Sequence, residues 1–154
     1  MFKILALDQS SKKTGWAVIT NKGIKHYGLI EAEGDVIPRL RIVRDELTKL
    51  IIKHKPSFVV FEDTQYQGNA QGYKVLAMTQ GIVMDVLFTY NVNFYIVPPV
   101  TWKSFCGIEG KKRDDQKANT KKFVVEKYGL IVGEDEADAI GIATWANANI
   151  KEAK

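Results

Sequence analysis

Residues 2–32 read FKILALDQSSKKTGWAVITNKGIKHYGLIEA, and the fold is decided here. Residues 2–8 form a short apolar run, rich in Ile and Leu, that predicts a central strand ending on the carboxylate Asp8. Residues 14–20 (TGWAVIT) and 24–32 (IKHYGLIEA) are two further strand-like runs. Asn21-Lys22-Gly23 lies between them, and a glycine in a short polar joint is a hairpin signal. Three antiparallel strands therefore open the chain as a meander.

From Ile37 the period changes. Ile37, Leu40, Val43, Leu47, Leu50 and Ile51 recur at three- and four-residue steps. That spacing predicts an amphipathic helix of about four turns, ended before Pro56. Residues 57–62 (SFVVFE) read as a buried strand, and 64–73 as an uncharged polar loop with two Gly and two Tyr. A second helix is predicted over 74–90 and a fifth strand over 92–97, stopped by Pro98-Pro99. A basic segment follows, helical over its second half, and 134–149 closes the pattern as a helix. This order is that of the ribonuclease H-like fold, an α/β architecture. Its five-stranded mixed sheet has three antiparallel strands, then two parallel ones, with helices on both faces. No repeat or linker interrupts the 154 residues, so 1–154 is predicted to be one domain.

Hydrophobic residues make up 45% of the chain and charged ones 26%, which excludes disordered and low-complexity classes. Cys106 is the only cysteine, so an intrachain disulfide and a Cys-based zinc site are excluded, and Cys106 reads as a small apolar filler. His26 and His54 lie far apart in sequence and give no support to a His-metal finger or a Ser-His-Asp triad. The opening MFKILALD turns polar too soon for a signal peptide, and no apolar run approaches the roughly 18 residues of a membrane span. The expectation is a soluble, cytoplasmic protein with no membrane partner.

Open α/β sheets place their sites at the carboxyl ends of strands. Asp8 ends the first strand and Glu62 the fourth, and these are neighbours in the predicted topology. Asp135 and Asp138 are three apart, so both leave one face of the closing helix's first turn. Glu134 and Glu136 read only as charges favourable at a helix N-terminus. Four carboxylates that converge repel one another, and without a cation at least one should hold its proton. Two Mg²⁺ ions about 3.5–4 Å apart remove that conflict and suit phosphodiester hydrolysis.

The residues Asp8-Gln9-Ser10-Ser11-Lys12-Lys13-Thr14-Gly15-Trp16 resemble the first motif of the RuvC-type Holliday junction resolvases. There an Asp is followed by a short turn, Thr-Gly, an aromatic residue and a second strand. Phe61-Glu62-Asp63 resembles the family's strand-end Glu, and Asp135 to Ala143 (DEADAIGIA) its closing Asp-x-x-Asp-Ala helix. The resemblance implies Asp8, Glu62, Asp135 and Asp138 as catalytic metal ligands for Mg²⁺, with Mn²⁺ substituting. It makes Lys103, and Lys111 or Lys112, the basic residues near the scissile phosphate. It also implies a homodimer that cuts two strands of a four-way junction symmetrically. Apolar residues on more than one face of the 74–90 helix suit a two-fold interface there. Two departures stand out. Gln9-Ser10 replaces the usual Pro-Gly, and Thr64-Gln65-Tyr66 stands where a Phe is expected. They suit a divergent, phage-encoded member and leave any cleavage-site preference unassigned.

The charge supports a nucleic-acid partner. Residues 103–127 hold eight basic and four acidic side chains, which is the whole +4 excess of the chain. Lys103, Lys111, Lys112, Arg113, Lys117, Lys121 and Lys122 are therefore predicted to contact DNA phosphates. Tyr66 and Tyr73 are candidates to stack on bases opened at a branch point, whereas Trp16 and Trp102 read as packing residues. A non-catalytic branched-DNA-binding module and a related nuclease acting on RNA remain open alternatives. An actin-like ATPase is excluded, because it needs two such domains around its nucleotide.

Overall fold

Alternation along β1 (Ile4–Asp8) sends Leu5 and Leu7 to one face of the sheet and Ile4, Ala6 and Asp8 to the other. In the computed structural model, which describes residues 1–152, β1 is the middle strand of five. It pairs antiparallel with β2 (Lys13–Thr20), which pairs antiparallel with β3 (Gly23–Glu31). On its other side β1 pairs parallel with β4 (Phe58–Glu62), which pairs parallel with β5 (Asn93–Val97). The order is β3-β2-β1-β4-β5, three antiparallel strands and then two parallel ones, as predicted.

The two faces have separate cores. Leu5, Leu7, Val59 and Phe61 pack under α1 (Val36–His54) and α2 (Ala70–Thr89) through Leu47, Ile51, Val83 and Leu87. Ile4, Ala6, Ala17, Ile19 and Val60 pack under α3 (Pro99–Cys106), α4 (Arg113–Tyr128) and α5 (Glu134–Asn149). Helix α5 is the most enclosed of the helices, buried without interruption from Ala137 to Ala146. A helix apolar on all sides belongs in an interior, and this one has few large side chains to hold it off the sheet.

Its floor is correspondingly shallow. Ala6 pairs with Ala17, and Asp8 with Gly15, across the β1–β2 ladder. A Cβ on Gly15 would collide with the Asp135 carbonyl at the start of α5, and one on Gly141 would run into the Trp102 ring. The glycine of the Thr-Gly turn is thus needed for space: it lets the α5 backbone rest against β2 directly opposite Asp8.

Two boundaries differ from the sequence reading. Helix α2 starts at Ala70, four residues early, because the Asn69 side chain accepts the Gly72 N–H at 3.1 Å as an N-cap. Tyr73 therefore lies on a helix, not in a loop. Helix α3 was not anticipated. Pro98-Pro99 ends β5, but Pro99 also occupies the first turn of a new helix, where its missing N–H leaves no bond unmade.

The two histidines meet despite their separation in sequence, their rings 4.9 Å apart, with Trp16 5.6 Å from His54. Burial, and then the charges of His26, Lys53 and Lys3, lower the His54 pKa. Cys106 is half-buried beside Gly141 O, and burial pushes its thiol up to about 12, so it is an unreactive filler as expected.

The contact at Gly15 yields a direct test. Gly15→Ala should cost about 1–3 kcal/mol, the usual penalty of overpacking, and should shift the first turn of α5. Denaturant unfolding measures the cost; unchanged stability would show that α5 does not rest on this residue.

Candidate active site

The parallel β1–β4 register pairs Leu7 with Phe61, so the next residue on each strand, Asp8 and Glu62, emerges from adjacent strand ends. By the same alternation both leave on the α5 side, with Ala6 and Val60. The contact at Gly15 brings in Asp135, and Asp138 follows one turn later. All four carboxylates line one open cleft of about 750 Å³.

Their environment is hostile to negative charge. Asp138 is buried, while Asp8 keeps a partly open surface at the bottom of the cleft. Burial raises the Asp8 pKa well above the usual carboxylate range, and repulsion from Asp138, Glu62 and Asp135 raises it further. Glu62 and Asp138 are also raised, mainly by burial.

Two neighbours relieve this strain, and a third braces the strand ends. The Lys117 ammonium donates to Asp138 Oδ2 at 2.6 Å. Burial opposes its charge, but Asp138, Asp8 and Asp135 outweigh that, and its pKa rises. Trp102 Nε1 donates to Glu62 Oε2 at 2.6 Å while its ring is fully buried. The Gln9 amide donates to the Glu62 carbonyl at 3.3 Å and to Gln80 Oε1 at 3.2 Å, tying the two strand ends to α2. None of these roles was visible in the sequence. The sequence presents Trp102 as a packing residue and Lys117 as a contact to DNA phosphate, not as the partner of a carboxylate.

The predicted basic set divides. Lys103, Arg113 and Lys117 line the cleft, with Lys103 held by Gln116 Oε1 at 3.1 Å. Lys111 and Lys112 are exposed in the turn before α4, and Lys121 and Lys122 are exposed along it, with Lys122 near Glu126. Tyr73 stands in the cleft wall, and Tyr66 meets it edge to face with ring centroids 6.0 Å apart.

The sequence model of the family described as crossover junction endodeoxyribonuclease RuvC matches residues 4–145. The chain belongs to the RuvC family. Among relatives, the RuvC of Rickettsia africae is 30% identical over 146 residues, 91% of this chain and 93% of that protein. The RuvC of Rickettsia prowazekii is 27% identical over the same span. Thermus thermophilus RuvC, solved in complex with a Holliday junction substrate, superposes with a TM-score of 0.76 at 13% identity, covering 96% of each chain. The yeast mitochondrial Holliday junction resolvase Ydc2 gives 0.60 at 16% identity, over 92% of this chain and 76% of that one. These two likenesses establish a shared ribonuclease H-like fold.

As a RuvC protein the chain is an endodeoxyribonuclease acting on branched DNA, and the family is metal-dependent. The donor set fits a hard divalent cation: it is all oxygen and short of positive charge. Among the described residues no three His, Cys, Asp or Glu side chains already stand at ligating spacing. The Asp138 and Glu62 oxygens are held instead by Lys117 and Trp102. Lys117 and Lys103 thus supply positive charge to the cluster.

Two outcomes follow from this electrostatics. A carboxyl whose folded pKa is raised costs stability above its ordinary pKa, and the cost grows until pH passes the raised value. Asp8→Asn should therefore raise the thermal midpoint of the metal-free protein at pH 7 by about 2 °C or more, and the gain should shrink as pH falls toward 4. A lower midpoint at pH 7 would contradict the repulsion. Trp102→Phe keeps an aromatic ring but removes the donor to Glu62. It should lower cleavage about 10–100-fold and raise the metal concentration needed for half-maximal rate; an unchanged metal requirement would limit Trp102 to packing.

Proposed function

We propose that the cleft hydrolyses phosphodiesters of four-way DNA junctions, with Asp8, Glu62, Asp135 and Asp138 as the ligands of two Mg²⁺ ions that Mn²⁺ can replace. The observation that carries this reading is the Lys117–Asp138 pair among four carboxylates that line one cleft. A cation is drawn to this point even within the chain itself. Bound there, the ions supply activation of the attacking water and neutralisation of charge on the leaving oxygen.

The protein's own groups account for the rest. The raised pKa keeps Lys117 protonated, so it acts as a fixed positive charge for the phosphate and not as a base. Released from Asp138, its ammonium and that of Lys103 meet the substrate's non-bridging oxygens. Trp102 holds Glu62 in one orientation throughout. Arg113 continues the basic wall to the rim of the cleft. Lys111, Lys112, Lys121 and Lys122 extend the grip along the duplex arm, where each phosphate contact adds salt-dependent affinity. Tyr73, exposed in the cleft wall, and the exposed Tyr66 against it stack on bases opened at the branch point.

A four-way junction has two-fold symmetry, and two sites related by a two-fold axis match it. Helix α2 suits the homodimer interface. Only Thr79, Val83, Val86 and Leu87 are buried in the chain itself, leaving Leu76, Met78 and Ile82 half-open and Phe88 64% exposed. The reading suits a bacterial cytoplasm, where the relatives' organisms keep their DNA; no described helix is long and apolar enough to cross a membrane.

The test is to incubate the protein with an end-labelled four-way junction, a fork and a linear duplex, with Mg²⁺ or with EDTA. Paired nicks at symmetric positions of the junction are expected, lost with EDTA and with Asp8→Asn. Tight binding without cutting under any divalent ion would leave a binding module in place of the nuclease, and nicks that survive Asp8→Asn would remove Asp8 from the chemistry.

A further inference from the structure

The cleft has a second wall, opposite α4, that the linear count of charge concealed. Outside 103–127 the chain is neutral on balance, with fourteen side chains of each sign, yet the signs are not evenly placed. The turn from β1 to β2 and the first turn of α1 bring Lys12 and Arg39 to the same cleft that holds the carboxylates.

Arg39 is held entirely by neutral oxygens. Its Nη1 donates to the Gly34 carbonyl at 2.7 Å and its Nη2 to Ser11 Oγ at 3.1 Å. Its Nε is buried and has no partner. Neither Arg39 nor Lys12 forms an ion pair among the described residues. A guanidinium has five donors in a rigid fork suited to phosphate. Holding one half-buried without an acid is unfavourable unless an anion arrives from outside.

The turn beneath it is set in advance. Ser10 N donates to Thr14 Oγ1 at 3.1 Å, and Thr14 Oγ1 returns a bond to the Ser10 carbonyl at 2.7 Å. Lys12 N donates to Ser10 Oγ at 3.3 Å. The Ser10 and Ser11 hydroxyl oxygens are therefore acceptors, and their hydrogens have no acceptor among the described residues. The wall does not serve the carboxylates: the cations that shift Asp8, Glu62 and Asp138 are Lys117 and Lys103, not Arg39 or Lys12. It is a separate strip of donors and positive charge that lines the cleft without an ion pair among the described residues.

We propose that Lys12 and Arg39, with the Ser10 and Ser11 hydroxyls, form a second phosphate clamp. It grips a backbone phosphodiester of the strand being cut, on the side of the carboxylates away from α4. The scissile bond is then suspended between two fixed cationic walls. This rests on the nuclease reading above, and it adds residues that the basic segment does not contain.

The test compares wild type, Lys12→Ala, Arg39→Gln, Arg39→Lys and Lys121→Ala. Each is titrated into a fluorescent four-way junction in EDTA at several salt concentrations from about 50 to 200 mM. Each lost phosphate contact lowers the slope of log affinity against log salt by about 0.9. Lys12→Ala and Arg39→Gln should each show that loss, whereas Arg39→Lys, which keeps the charge, should retain the wild-type slope. Were Arg39 only a brace for Gly34 and the turn, both Arg39 variants would lower thermal stability and leave the slope unchanged. Lys12 is exposed and braces nothing, so its variant remains informative if Arg39→Gln folds poorly. A wild-type slope in Lys12→Ala, or in a folded Arg39→Gln, overturns the clamp. If that happens while wild type cuts the junction and Lys121→Ala lowers the slope, the nuclease reading stands alone. If wild type neither binds nor cuts the junction, both fall together.

Discussion

The site depends on how closely α5 can lie on the sheet. Gly15, Ala17 and Ala6 present almost no side chain to that helix, and Gly141 opens space for the Trp102 ring on its other side. These contacts set two carboxylate positions at once. Gly15 admits the backbone of Asp135 opposite Asp8, and Gly141 admits the ring whose indole N–H holds Glu62. Any bulkier floor would lift α5 and separate the acids it carries from those the strands carry. The packing must also resist a force of the protein's own making, because the carboxylates repel one another across that seam. Lys117 offsets part of this repulsion, and the unbroken burial of Ala137 to Ala146 contains the remainder.

Much of this was legible in the chain. The meander, the change of period at Ile37 and the apolar run before Glu62 are local signals that long-range packing did not override. Asp8, Glu62, Asp135 and Asp138 stood out because a hydrophobic strand or a small-residue helix has no packing reason to carry acids at those points. What stayed hidden depends on tertiary distance. Trp102 looks like any core aromatic until Glu62 stands beside its N–H. Lys117 has the spacing of a solvated helix face, and only the orientation of α4 turns it inward. Arg39 sits in a stretch whose net charge is unremarkable. Pro99 was misread for another reason: the same ring that ends a strand also begins a helix.

The cleft therefore has a layered charge. A negative floor lies between cationic flanks, and each layer comes from a different part of the sequence. The floor comes from strand ends and α5, one flank from α3 and α4, and the other from the first turn of the chain and α1. A phosphate backbone is attracted to the flanks, which can hold it without metal, whereas the repelling floor calls for divalent cations before a phosphate can approach the carboxylates. Binding and cutting are in this way separable by composition of the medium alone.

Helix α5 also governs when the site exists. Asp8 and Gly15 lie near the start of the chain, and their partners Asp135 and Asp138 lie more than a hundred residues later. Closing so long a loop carries an entropic cost that only the docked helix repays. A ribosome delivers the chain from its N-terminus, so β1 and β2 wait, their α5-facing side uncovered, until α5 emerges. Until then the nascent chain holds only half of the acidic cluster. The docking of α5 and the completion of the acidic cluster are therefore one event.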